Sequence, residues 1–195
     1  MSTIRIPSLI VALVATGLAV LMVSPGVASA DDRVIRGDYT VRSGVTVDDN
    51  IKIYGGTLRV NGTVEGNVDQ YGRGSVIVGS RGHVGGNVEE RDGGAVIVGR
   101  YASVDGNIIE KSDGRVEVLG YLGGNIEEYG AGPVIVGRYA DVEGNVYEQR
   151  AGNVVIRGRV DGDVEESGNG NLLIYRTARI SGDVSEKGAG RIVRY

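Results

Sequence analysis

Aliphatic and polar residues alternate along most of this chain in short runs, and the runs recur. Leu58-x-Val60, Val76-x-Val78, Val96-x-Val98, Val116-x-Val118, Val134-x-Val136, Val154-x-Ile156 and Leu172-x-Ile174 each set two aliphatic residues around one that varies. Two further aliphatic columns run from Val64 to Ile180 and from Val68 to Val184. A period of two marks a half-buried strand. The varying middle residue reads Arg59, Ile77, Ile97, Glu117, Ile135, Val155, Leu173 and Val193. A position that accepts Arg and Glu faces outward, so its aliphatic neighbours face a core. Each repeat predicts three short strands joined by three corners.

The repeat has a nearly fixed period. Gly followed by Asn or Asp and then Val or Ile recurs at Gly66, Gly86, Gly106, Gly124, Gly144, Gly162 and Gly182, with spacings of 20, 20, 18, 20, 18 and 20 residues. All of the variation sits in one corner. Val78 to Val84, Val98 to Val104, Val136 to Val142 and Ile174 to Ile180 are six steps, whereas Val60 to Val64, Val118 to Leu122 and Ile156 to Val160 are four. The other two corners are constant, four steps from Val84 to Val88 and eight from Val88 to Val96.

Repeats of this kind stack so that each presents the same cross-section to the next. The expected fold is an all-β, right-handed parallel β-solenoid (β-helix) with about seven coils of 18–20 residues over residues 58–195. At ~4.8 Å per layer that is a rod on the order of 35 Å long. Residues 31–57 read as an irregular arm and a first, less regular coil marked by Tyr39, Val41, Val47 and Ile51. The Gly-Asn corners are expected to need φ > 0, which Gly and then Asn tolerate best. Asn67, Asn87, Asn107, Asn125 and Asn145 then form a corner ladder along the axis. A second glycine column, Gly74 to Gly190, reads as structural rather than phosphate-binding, because no Lys-Ser/Thr or strand-to-helix context accompanies it.

Composition sharpens this picture. The chain has 34 glycines, no Phe, no Trp and no Cys. A core of stacked valines needs no large aromatics, and neither a lipoprotein anchor nor a disulfide framework is available. Residues 1–30 have the layout of a secretory signal peptide: Arg5, an apolar stretch from Leu9 to Val23, then "SPGVASA" with cleavage expected after Ala30. That stretch is shorter than the roughly 20 residues of a membrane span, so no retained transmembrane span is expected. The formal charge of −4 becomes −5 once Arg5 is removed, which speaks against nucleic acid as a partner.

Candidate chemistry is sparse. His83, the sole histidine, shares a corner column with Ser103, Asp141 and Arg179 and reads as a surface residue. A column of Gln70, Glu90, Glu110, Glu128, Glu148, Glu166 and Glu186 reads as a solvated edge, each acid near a base such as Arg91, Lys111 or Lys187. The other reading of that column is a cation ladder or a carboxylate row acting on polysaccharide. The outward apolar ladder of Ile77, Ile97, Ile135, Val155, Leu173 and Val193 is the expected interaction face, because exposed apolar stripes mark contact surfaces. No catalytic residue, cofactor site or metal site is expected.

With the coils aligned, "VIVGRYASVDGNI" and "VIVGSRGHVGGNV" resemble the repeat of bactofilins, polymer-forming β-helical cytoskeletal proteins. The resemblance covers about Leu58 to Val193. It implies a right-handed helix that assembles end to end without nucleotide and meets envelope structures. The bactofilins it resembles are typically cytoplasmic, so the signal-like leader sets this chain apart. The functional expectation is an exported, non-enzymatic, self-associating β-solenoid of the cell envelope, extracellular or, where an outer membrane exists, periplasmic. The alternatives are a carbohydrate-binding or carbohydrate-active β-helix using the stacked Glu edge, and an adhesin-like surface protein. Ile192 and Val193 begin a new first strand and Arg194 takes the next inward column, so the final coil is expected to offer an open end to a second copy.

Overall fold

The computed structural model describes residues 32–195, and every strand in them belongs to one of three parallel sheets. Their order follows the chain around the coil. β1 (Asp32–Arg36) lies on the third face, β2 (Tyr39–Val41) on the first, β3 (Thr46–Val47) on the second and β4 (Asn50–Tyr54) on the third again. This cycle continues to β26 (Ile192–Arg194) on the first face. The first and third faces hold nine strands each and the second holds eight. The rod is longer than the regular repeat alone implies, because β1 to β4 pair in register with the coil after them. Asp32 to Arg36 align with Asn50 to Tyr54, and Tyr39 aligns with Leu58.

The two-residue period sets which side chains are buried. Val96, Val98, Val104 and Ile108 of one coil are fully buried, as are their register partners Val116, Val118, Leu122 and Ile126 in the next. Each layer thus contributes small, mostly β-branched side chains to a narrow core. Removing a Val or Leu side chain from water is worth about 1.5–3 kcal/mol. Val136 is buried, whereas Val155 in the outward column is only half-buried.

The six-step corner is a hydrogen-bonded turn. The amides of Ala102 and Ala140 donate to the carbonyls of Gly99 and Gly137, both at 3.0 Å. This folds the two extra residues back and buries both alanine methyls in the core. The four-step corner lacks them. Leu119 and Gly120 there donate no such turn, and a Cβ at Gly120 would lie 2.6 Å from the Gly99 carbonyl oxygen.

The Gly-Asn corners correct one expectation. None of Gly66, Gly86, Gly106, Gly124, Gly144, Gly162 and Gly182 has positive φ. These positions need glycine because the coils approach too closely for a side chain. A Cβ on Gly86 would sit 2.5 Å from Asn67 Oδ1 and 2.7 Å from the Gly66 carbonyl oxygen. What crowds the glycine is the corner ladder itself.

Candidate functional site

Three features of the rod bear on what it does: the two polar ladders that fix the coils, the outward apolar ladder, and the terminal coil.

In the corner ladder, each side-chain oxygen accepts a backbone N–H from the following coil. Asn67 Oδ1 accepts from Asn87 at 2.8 Å, Asn87 from Asn107 at 2.7 Å, Asn107 from Asn125 at 2.7 Å and Asn125 from Asn145 at 2.8 Å. The ladder begins at Asn50 and ends with Asp163 accepting from Asp183 at 2.7 Å. Direct amide-to-amide bonds are fewer, as between Asn145 Nδ2 and Asn125 Oδ1 at 3.3 Å. The bonds join one coil to the next, so their chemistry is that of a structural clamp.

The glutamate column lies inside the rod, which overturns its reading as a solvated edge. Gln70, Glu90, Glu110, Glu128, Glu148 and Glu166 are all fully buried. Glu128 follows Ile126 by two residues on one strand, so alternation turns both side chains inward. The bases assigned to this column pair with the outward acids instead: Arg91 with Glu89 at 2.8 Å, Lys111 with Glu89, and Lys187 with Glu165 at 2.6 Å. Each buried acid is spent on the corner that follows it. Glu128 Oε1 accepts from the Gly130 and Gly132 amides at 2.9 and 3.3 Å; Glu166 Oε1 accepts from Gly168 and Gly170 at 2.9 and 3.0 Å. Glu148 likewise holds Arg150 and Gly152 at 3.0 and 2.9 Å. The second oxygens of Glu110, Glu128, Glu148 and Glu166 have no donor.

Burial resists ionisation of such groups. It pushes Glu128 up to about 9, with the neighbouring carboxyls of Glu110 and Glu148 adding to the effect and the Gly130 amide opposing it. Glu110 and Glu166 are raised to about 7, again chiefly by burial. At neutral pH Glu128 therefore carries a proton, and its O–H is the donor that the adjacent carboxyl lacks. Among the described residues no group of acids or histidines is arranged to hold a metal ion.

His83 lies half-buried on the second face, Nδ1 2.8 Å from Ser103 Oγ and Nε2 3.8 Å from Asp105. Both partners, Ser103 and Asp105, belong to the surface of the same sheet edge.

The apolar ladder is continuous where the sequence places it. Ile135 aligns with Val155, Val155 with Leu173 and Leu173 with Val193. Ile77 and Ile97 are also register partners, and Glu117 separates the two groups while pairing with Arg115 at 3.0 Å. All six apolar members are partly exposed. At the C-terminal coil the packing opens: Ile180 and Val184 are only partly buried and Ile192 is 41% exposed. β24 (Arg179–Ile180), β25 (Val184–Glu186) and β26 each pair along one edge only among the described residues.

Residues 96–189 match the family model for bactofilins, described as polymer-forming cytoskeletal. This stretch is a bactofilin domain. The match starts at the β-strand of Val96 and ends just beyond Lys187, so it covers the long and short corners, most of the glutamate column and the apolar ladder from Ile97 to Leu173. The coils before Val96 continue the same three parallel sheets without a break. No curated protein and no solved structure matches the chain. The family description is that of a structural, self-assembling domain. Among the described residues no helix is long and apolar enough to cross a membrane.

Proposed function

We propose that the protein is an exported, non-enzymatic structural module of the cell envelope that assembles through its ends. The observation that carries this reading is the stacking itself: every coil offers the same cross-section and the same backbone edges to its neighbour in all three sheets, so a coil of a second copy can continue the stack. An unpaired strand edge is a template for another chain. The bactofilin match to residues 96–189 supports polymer formation, and the signal-like pattern of residues 1–30, which lie outside the described residues, supports export. The outward apolar ladder serves as a second, side-by-side contact between rods.

The alternative of a glycan site on the stacked glutamates loses its basis, since those carboxyls are buried in the rod. Light scattering and negative-stain microscopy on the purified full-length protein test the assembly. Filaments are expected, and Val184→Lys with Ile192→Lys is expected to shorten or abolish them. A monodisperse monomer at high micromolar concentration, indifferent to that change, contradicts end-to-end assembly. Fractionation of producing cells, with N-terminal sequencing of the recovered protein, tests export; an N-terminus at Asp31 outside the cytoplasm is the expected result.

A further inference from the structure

The alternation of long and short corners cuts a relief into the edge between the first and second faces. The short corner at Leu119–Gly120 lies between the long corners at Gly99–Ala102 and Gly137–Ala140. The result is a notch of about 450 Å³, floored by Leu119, Gly120 and Tyr121 and walled by Arg100 and Tyr101 on one side and Tyr139 and Asp141 on the other. A second notch of about 470 Å³ follows at Gly158–Arg159, between Tyr139 and Arg176. Both volumes lie in the range of small-ligand sites.

The first notch holds a prepared anion receptor. The Arg100 guanidinium lies 5.0 Å from the Tyr101 ring centre and 4.6 Å from that of Tyr139, so it spans the notch between two aromatic faces. Stacking fixes the plane of the fork, and among the described residues no carboxylate or carbonyl accepts from it. Tyr101 and Tyr139 are 70% and 67% exposed, a costly use of large rings unless something covers them. Tyr101 also holds φ at 66°, a conformation that is an outlier for a bulky side chain. From residue 79 onward these corners contribute Arg81, Arg100, Arg138, Arg157, Arg159 and Arg176, against one acid, Asp141, among the residues lining the two notches, in a chain of net charge −4.

Two observations narrow the ligand. Asp141, held by Arg159 at 2.9 Å, lines the same notch. A carboxylate repels a bare polyanion, but it accepts hydrogen bonds from a ligand that carries hydroxyl groups beside its charge. The charge spacing points the same way. Arg100, Arg138 and Arg176 stand on alternate layers, ~10 Å apart, with Arg157 on the layer between the last two and so ~5 Å from each, whereas a nucleic-acid strand carries a charge every ~3.4 Å.

We propose that the first notch binds one acidic sugar residue of a linear anionic polysaccharide running along this edge. Its carboxylate meets the Arg100 fork, its ring rests on Leu119 between the tyrosines, and a hydroxyl donates to Asp141. Arg138, 5.8 Å from the Tyr139 ring centre, offers the same contact at the second notch.

Calorimetric titration of the full-length protein with a galacturonate tetramer tests this, with a neutral glucan tetramer, polyglutamate and oligothymidylate as comparisons. The galacturonate tetramer is expected to bind at least tenfold more tightly than the other three. Arg100→Ala is expected to weaken it roughly tenfold or more, and Tyr101→Ala and Asp141→Asn severalfold each, with unchanged melting temperatures. Arg100→Gln, which keeps most of the stem, gives the same loss if the alanine variant is unstable. Failure to bind, binding indifferent to both Arg100 variants, tighter binding by Asp141→Asn, or equal binding of polyglutamate or oligothymidylate each overturns the proposal.

Discussion

Glu110 and Glu128 occupy the same register position in neighbouring coils, both fully buried, and neither Oε2 has a donor. As two carboxylates they have nothing to share. A proton on one supplies the hydrogen bond that joins them, and this makes the stability of the rod depend on pH.

The sign follows from linkage. Both pKa values are raised above the unfolded 4.5, to about 7 for Glu110 and about 9 for Glu128. The folded state then binds more protons than the unfolded state between these limits, so stability falls as pH rises. It is fully present below about 4.5 and is lost progressively up to pH 9. Thermal melts are expected to show a midpoint higher at pH 5 than at pH 9 by roughly 5 °C or more. A flat or rising profile contradicts the buried-column assignment.

Replacing Glu110, Glu128 and Glu148 together with Gln is expected to remove most of that slope and raise the melting point at pH 9. The chain itself makes this substitution in the same column. Gln70 is fully buried and donates to the Gly72 carbonyl at 2.8 Å. Loss of stability at every pH would mean that the proton-shared bonds, and not merely the filled volume, hold the corners.

The corner ladder predicts a contrast at one position. Asn107→Ala leaves the Asn125 amide without its 2.7 Å acceptor and is expected to cost about 1–2 kcal/mol in denaturant unfolding. Asn107→Asp keeps the acceptor, as Asp163 does for Asp183 at 2.7 Å, and is expected to cost much less. Equal losses would place the effect in the amide N–H rather than the oxygen.

Much of this architecture is written in the period. The 18–20-residue spacing and the alternation of Val76-x-Val78 and its copies identify the coils, the three faces and the inward columns. The same alternation runs Val88, Glu89, Glu90 and puts Glu90 inside, against the general preference of acids for the surface. Ile53, the register partner of Gln70, carries the signal, an aliphatic residue in the glutamate column. The notches were latent in the spacing as well, since a four-step corner between six-step ones must leave a gap. What no local pattern shows is that Arg100 reaches across it to Tyr139, a contact between residues 39 apart in sequence. The reason for the glycine corners is illegible locally on similar grounds: crowding by the preceding coil depends on stacking, whereas positive φ is a local property.

Inward and outward columns one face apart give the most direct test of the layer assignment. Val136→Asp puts an unpaired charge between stacked coils and is expected to abolish folding, because a buried ion without a partner is too costly to retain. Val155→Asp, half-exposed in the neighbouring column, is expected to leave the circular dichroism spectrum and melting point nearly unchanged. Equal damage from both would reverse the faces.

The side-by-side contact is separable from the end contact, because the two use different residues. Ile135, Val155, Leu173 and Val193 line the outside of the first face, whereas Val184 and Ile180 face the core at the terminal coil. Val155→Lys with Leu173→Lys places two charges in the middle of the stripe without touching a sheet edge. Filaments are then expected to persist while lateral bundles disappear, since like charges on facing rods repel and an apolar contact of about four residues per rod cannot offset their desolvation. Single filaments in place of bundles under the microscope, with unchanged length, is the expected image. Loss of the filaments themselves would show that the first face, and not the terminal coil, joins one rod to the next.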